Sequence, residues 1–190
     1  MSYLRKIEYE IIPVESFCVI RNCSGCGRKT YFRNTKRFRV NANGNKLDVW
    51  LIYQCENCKH TLNLTVHERQ RPDLIPAKEY ECFLSNDEGL AEEYGKKLPF
   101  FQKNKAEADL QNIEYQFVKR REITGQPPCG QQVWITIQNP YGLRIRPERQ
   151  IAEALGLSRS QVKKRMEQGE IQIDTVLAQL LSFYVDCYCV

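Results

Sequence analysis

The sequence contains only two histidines, His60 and His67, in 190 residues. It has no HExxH helix, no glycine-rich phosphate loop, and no Ser or Cys with an evident activating base nearby. These absences remove the usual signatures of metallohydrolases, nucleotide-hydrolysing enzymes and nucleophilic enzymes. Catalysis is not expected, and distant acids are the one route to it left open. A bilayer-length apolar run is also missing: "TVLAQLLSFYV" near the C-terminus is broken by Gln179 and followed by Asp186, far short of a spanning segment. The start "MSYLRKIEYEIIPVESF" lacks the apolar stretch and small-residue cleavage site of a secretory signal. The last four residues, Cys187 to Val190, lack the aliphatic pair of a prenylation box. A cytoplasmic location is expected, with neither a membrane nor a small molecule as partner.

Acids are missing from one stretch. Residues 21–46 hold eight bases, from Arg21 to Lys46, and no Asp or Glu. Residues 141–169 hold seven bases against three acids, whereas residues 73–114 hold ten acids and five bases. Basic ends around an acidic centre favour a polyanionic partner approached on selected surfaces. The alternatives are that the bases are merely solvated, or that part of the first cluster offsets the charge of metal-bound thiolates.

What is present is a chain with 42% hydrophobic residues, enough to bury a core as one domain or two small ones. Residues 17–68 read as strands: "SFCVIR", "KRFRVNA", "KLDVWLIYQ" and "TLNLTVH". The Asn43-Gly44 pair in "NANGN" tolerates positive φ and marks a tight hairpin between the second and third. Beyond Pro72 and Pro76, "SNDEGLAEEYG" starts a helix at a Ser85 or Asn86 cap and ends near Gly95. "KAEADL" is read as a further helical turn or two, "IEYQFVKR" and "VWITIQ" as strands flanking the loop "TGQPPCG". "ERQIAEALG" and "RSQVKKRMEQG" read as short helices closed by Gly156 and Gly169.

Nine cysteines include two matched pairs, Cys23 with Cys26 and Cys55 with Cys58, in the pattern CxxC, 28 residues, CxxC. A two-residue gap lets both sulfurs of a tight turn point inward, and two such knuckles complete a tetrahedral site. Gly27 helps the chain turn past the sulfur. The intervening hairpin accounts for the long gap, since both strands must run out and return. One structural Zn2+ held by Cys23, Cys26, Cys55 and Cys58 is expected, with no open coordination position. A redox CxxC usually occurs once and opens a helix, and disulfides are disfavoured in a reducing compartment. His60, two residues past Cys58, is read as a neighbour of the site and not a ligand. Cys18, Cys82, Cys129, Cys187 and Cys189 are read as small apolar fillers.

From Arg146 onward, "RPERQIAEALGLSRSQVKKRMEQGEIQI" resembles the alpha-L RNA-binding motif of small-subunit ribosomal protein four, bacterial pseudouridine synthases and tyrosyl-tRNA synthetase tails. Arg146 and Glu148 stand where that family begins Arg-Leu-Asp, with Pro147 in place of the usual Leu. Ile151 takes the first core position, Ser158-Arg159 the Ser-Arg signature, and Gly169 to Ile173 the Gly-x-Val-x-Val exit strand. "DTVLAQLLSFYVDC" lacks the Asn-Gly turn and later Gly-Asp of that family. The resemblance implies two helices packed on a small sheet, with structured RNA as partner and Arg146, Arg149, Ser158, Arg159, Lys163, Lys164 and Arg165 contacting it. Ile151 with Leu155, and Val162 with Met166, are i,i+4 apolar pairs able to face one core while Lys164 points away. A basic convex helix suits A-form RNA, which is recognised largely through shape, phosphate and 2′-OH contacts.

Two other readings stay open. "IAEALGLSRSQV" also fits a helix-turn-helix, with Ala152, Gly156 and Val162 at its small, turn and core positions, although Arg165 stands where an apolar residue is wanted. That would make the protein a DNA-binding regulator. Otherwise the motif is a scaffold with solvated bases, and the protein an interaction or zinc-responsive module without nucleic acid.

Across nearly its whole length the chain resembles a bacterial family catalogued as domain of unknown function 1062. The resemblance rests on "RNCSGCGRKTYFRNTKRFRVNANGNKLDVWLIYQCENCKHTLNLTVHER" and the C-terminal Ser-Arg segment, and it implies a fold and a metal but no activity. The expected architecture is α+β in three segments: residues 1–70 a zinc ribbon with flanking strands, 71–142 a mixed connecting region, and 143–190 a two-helix-plus-strand unit like the RNA-binding motif.

Overall fold

A computed structural model describes residues 5–123 and 132–186. The first five strands are β1 (Lys6–Pro13), β2 (Val19–Cys23), β3 (Arg28–Asn43), β4 (Lys46–Cys55) and β5 (Thr61–Gln70). After a short 3-10 turn come three helices, α1 (Ala77–Ser85), α2 (Glu88–Tyr94) and α3 (Leu98–Lys103). The strands β6 (Glu107–Ala108), β7 (Tyr115–Ile123) and β8 (Gln132–Gln138) follow. The chain then forms α4 (Pro147–Leu155), α5 (Arg159–Glu167), β9 (Ile171–Leu177) and β10 (Leu180–Asp186). The class is α+β, as the sequence predicts. Among the described residues, no helix is long and apolar enough to cross a membrane. The "TGQPPCG" loop with Cys129, and Cys187 and Cys189, lie outside the described residues.

The chain divides into two compact units that differ from the three segments expected from composition. One comprises residues 1–14 and 114–190, the other residues 15–113. The boundaries expected at residues 70 and 142 do not coincide with those of the units, because the described elements of residues 71–142 are divided between the two. Their helices bury apolar faces on the strands of residues 15–113, while β7 and β8 pair with β1. The second unit is thus an insertion in the first, and its entry and exit meet where the Val14 amide donates to the Glu114 carbonyl at 2.9 Å.

In the first unit, five strands run in the order β7-β1-β8-β10-β9. β1 lies parallel to β8 and antiparallel to β7, and β10 is antiparallel to both β8 and β9. Alternation sets the core face: Ile7, Ile11, Val133, Ile135, Ile137, Leu181, Phe183 and Val185 are all buried. Ile151 of α4 and Val162 of α5 are fully buried with them, each such side chain contributing about 1.5–3 kcal/mol. Asn139 is also buried, and its side-chain amide donates to the Leu143 carbonyl at 2.8 Å while accepting from the Leu143 amide at 3.0 Å. That pair satisfies the backbone of the loop leading into α4.

In the second unit, the order is β5-β4-β3-β2-β6. Leu47, Val49, Leu51, Tyr53 and Cys55 alternate inward along β4. Helices α1–α3 supply Phe83, Ala91, Phe100 and Phe101 to the same core, with Phe38 edge-on to Phe83 at 4.9 Å and Tyr53 edge-on to Phe101 at 6.2 Å. The turn between β3 and β4 is Gly44-Asn45, one residue later than Asn43-Gly44. Only Gly44 has positive φ, at 61°, the pattern of a type II′ hairpin, in which glycine leads. Two helical expectations are corrected. Ser85 and Asn86 end α1 instead of starting a helix: Asn86 is left-handed at φ 54°, and Asp87 caps α2 by accepting from the Leu90 amide at 2.7 Å. "KAEADL" contains β6, because residue 107 is captured by pairing with Ile20.

Gly95 closes α2 for a steric reason. A Cβ there would meet Ser16 Oγ at 2.3 Å and Asn34 Nδ2 at 2.8 Å, while the Gly95 carbonyl accepts from the Phe17 amide at 2.8 Å. Gly95→Ala is therefore expected to cost about 1–3 kcal/mol by overpacking, read as a lower urea midpoint with an unchanged slope. An unchanged midpoint would show that this backbone has room to move.

Candidate metal centre and nucleic-acid interface

Because β3 and β4 are antiparallel, the start of one lies beside the end of the other, and the two CxxC turns meet at one end of the second sheet. Cys23 ends β2 and pairs with Arg28, while Cys55 ends β4 opposite Phe32. The Glu56 amide donates to the Tyr31 carbonyl at 3.0 Å, holding the second turn against the first residues of β3. All four sulfurs, of Cys23, Cys26, Cys55 and Cys58, lie within 4.8 Å of one another. Cys23 and Cys58 are 3.4 Å apart, and Cys26 and Cys55 3.7 Å. Metal–sulfur bonds of about 2.3 Å in a tetrahedron require sulfurs about 3.8 Å apart. The cluster fits that requirement, and its separations are far beyond a disulfide bond of about 2.05 Å. These four cysteines can hold one metal ion.

The two turns are built alike. Gly27 has φ 66° and Lys59 φ 61°. Each directly follows the second cysteine of its pair and donates its amide to the carbonyl of the first, at 2.8 Å to Cys23 and 3.1 Å to Cys55. Gly27 has the role expected from the sequence. Lys59 adopts the same left-handed conformation at a cost of about 1–2 kcal/mol, which the surrounding cluster must outweigh. Gly25 was missed by sequence reasoning: a Cβ there would come within 2.9 Å of the Cys58 sulfur. Its signal was a glycine inside the first CxxC. His60 lies outside the group of four sulfurs. Its Nε2 lies 2.9 Å from Ser24 Oγ, tying one turn to the other from outside.

The electrostatics favour a cation. Burial raises the Cys55 thiol, but the Cys58 and Asn57 amides aimed at its sulfur, together with its contacts to the Cys23 and Cys26 sulfurs, bring it down to about 6. Cys26 is pushed up to about 12, first by its contact with Cys58 and then by burial. Cys23 is raised chiefly by burial. Sulfurs this close cannot all ionise on their own, and a bound cation makes four thiolates compatible. Cys18 and Cys82 are half-buried and lie outside the cluster.

The second group of expected residues is gathered on α4 and α5 of the first unit. Pro147 occupies the first turn of α4, where its missing amide is harmless, so its replacement of Leu starts the helix cleanly. Gly156 ends α4 at φ 64°. Ser158 caps α5 in a reciprocal box: it accepts from the Gln161 amide at 3.2 Å, and its own amide donates to Gln161 Oε1 at 2.8 Å. Its hydroxyl is thus engaged in the helix start. Ile151 and Val162 are core residues as expected, whereas Leu155 and Met166 are only half-buried.

The bases fall into two sets. Arg149 is held by Glu153 at 3.1 Å and lies over the Tyr115 ring at 5.3 Å, and Arg165 faces Glu170 at 3.8 Å. Arg146, Arg159, Lys163 and Lys164 are exposed, and no ion pair or hydrogen bond engages their side chains among the described residues. Arg146, Arg159 and Lys163 line an open groove of 740 Å³ with Ser160, Met166 and two acids, Glu148 and Glu167.

A family model described as protein of unknown function (DUF1062) matches residues 40–176. The match takes in the second cysteine turn and the α4–α5 pair, and starts beyond the first turn. No curated protein and no solved structure matches the chain.

Cys23→Ser is expected to drop bound metal from one equivalent to near none and to speed hydrogen exchange at both turns. Gly25→Ala should weaken metal retention against a chelator, because its methyl group displaces the Cys58 sulfur. Cys82→Ser should leave metal content unchanged. Metal loss from the Cys82 variant, or full retention by Cys23→Ser, would contradict this assignment.

Proposed function

The chain belongs to the DUF1062 family of proteins of unknown function, and from that premise we propose that it is a non-catalytic protein that binds structured RNA along α5, with one structural zinc organising its inserted unit. The observation that carries the RNA reading is the set of exposed bases without acidic partners, Arg146, Arg159, Lys163 and Lys164, beside one open groove. Side chains of this kind reach phosphates on a convex helix without first breaking an ion pair, and each neutralised phosphate releases counterions. Arg149 and Arg165, already turned onto acids, act on the framework of α4 and α5 and not on RNA. Zinc is favoured by the donor set, since four thiolates in a tetrahedron form a closed site that leaves no position for a reacting water. Iron is the competing metal for such sulfurs, and elemental analysis of the purified protein separates the two.

The RNA test compares an RNA hairpin with duplex DNA of equal length and charge, across salt. Hairpin RNA is expected to bind more tightly. Arg159→Ala with Lys163→Ala should weaken it, lower the salt slope by about two, and leave thermal stability intact because neither side chain is in the core. Equal affinity for both duplexes would reduce the interaction to nonspecific electrostatics. Sequence-dependent DNA binding would install the helix-turn-helix reading, and no binding at low salt would leave α5 as a solvated face.

A further inference from the structure

Helices α1–α3 pack on one face of the second sheet, the face of Leu51, Tyr53 and Phe38. The opposite face of its central strands carries different chemistry. There Arg39 pairs across to Trp50 and Trp50 to Thr65, Ile52 pairs with Asn63, and Gln54 with Thr61. A bulge in β3 interrupts the ladder at this point: Lys36 turns left-handed at φ 58°, and Thr35 Oγ1 donates to the Ile52 carbonyl at 2.8 Å in place of a strand bond. The bulge brings Arg37 onto the face that already holds Arg39. Arg37, Arg39, Ile52, Gln54, Thr61 and Asn63 line a concavity of 590 Å³, which Thr35 and the buried Phe38 close at the bulge.

No acid lines this concavity. The neighbouring bases are used otherwise, Arg33 by Glu56 and Lys36 by Glu92. Arg37 and Arg39 are exposed and make no ion pair among the described residues. The face therefore combines two cations ready for phosphates, half-buried Ile52 within the concavity and half-buried Trp50 next to it on the same face, opposite Arg39, and amide and hydroxyl groups at Gln54, Asn63 and Thr61. Its size suits groups of small-ligand scale and not the flank of a helix. A flat base on an aromatic floor, with phosphates on flanking cations, is the arrangement that single strands demand. Side-chain amides beside the floor supply partners for base edges and the 2′-OH. We infer that the β3–β5 face binds single-stranded RNA, with phosphates on Arg37 and Arg39 and a base against Trp50. The inference does not rest on the α5 reading, since every residue it uses lies in the other unit.

The chain has two tryptophans, Trp50 and Trp134, so Trp134→Phe leaves Trp50 as sole reporter. In the full chain carrying that change, a short oligouridylate is expected to quench Trp50 fluorescence saturably. Arg37→Ala with Arg39→Ala should weaken binding at least tenfold and lower the salt slope by about two, whereas Arg159→Ala with Lys163→Ala should leave it unchanged. Anisotropy of end-labelled oligouridylate reads the same affinities in the chain that keeps both tryptophans. Absence of quenching, an affinity indifferent to Arg37 and Arg39, or equal binding of oligodeoxythymidylate would overturn the inference. Failure of the α5 reading would appear separately, as a hairpin affinity that Arg159 and Lys163 do not affect.

Discussion

Four sulfurs within 4.8 Å of one another form a constraint that the end of the second sheet cannot satisfy by itself. Without a cation, some must stay protonated while amide dipoles press others toward ionisation, and Cys55 at about 6 beside Cys26 at about 12 expresses that conflict. With a cation, the same amides become supporting partners of thiolates. Much of the local design follows. Two left-handed residues, a glycine without room for a methyl, and the Ser24–His60 link are devices for closing two turns on one point. The packing of the helices depends on it less, because Phe83, Phe101 and Tyr53 give them an apolar core of their own.

The cluster of four cysteines is legible in the sequence because its determinants are local. A CxxC turn needs only a few neighbouring residues, and the spacing between pairs is set by one hairpin. Features fixed by distant partners were not legible. β1 looked like the lead-in to the ribbon, yet its register is set by β8, more than a hundred residues away, with Ile7 opposite Ile135. In the sequence, Ser85 and Asn86 ahead of Asp87 read as a helix start alone. The three residues are both a stop and a start, with Asn86 ending α1 and Asp87 opening α2. α1 itself had no side-chain cap to announce it, since Pro76 precedes it and makes no capping bond.

The C-terminal segment shows which parts of a motif reflect packing and which are left for a partner. Pro147, Gly156 and the Ser158–Gln161 box define two short helices by capping alone. Ile151, Val162 and Ile171 anchor them to the sheet, which β9 and β10 complete through Ile171 opposite Val185. Once those residues are assigned to the fold, the Ser-Arg signature divides. The serine is a cap, and the arginine remains on the exposed edge. A residue list taken from resemblance mixes these two kinds of position, and burial and pairing separate them.

The charge pattern changes meaning for the same reason. Along the chain, eight bases without an acid look like one cationic region facing an acidic one. In space both belong largely to the inserted unit, and the acids are distributed among the bases: Glu107 takes Lys29, Glu56 takes Arg33, and Glu92 takes Lys36. Exposed pairs of this kind add little stability, about 0–1 kcal/mol each, so their main effect is to decide where positive charge is left unneutralised. Among the described residues it is left on Arg21, Arg28, Arg37, Arg39 and Lys46, and of these Arg37 and Arg39 stand together beside a β3 bulge that turns them onto the sheet face the helices do not cover. Net charge reports that a polyanion is attractive, and only the placement of the acids reports where it would be received.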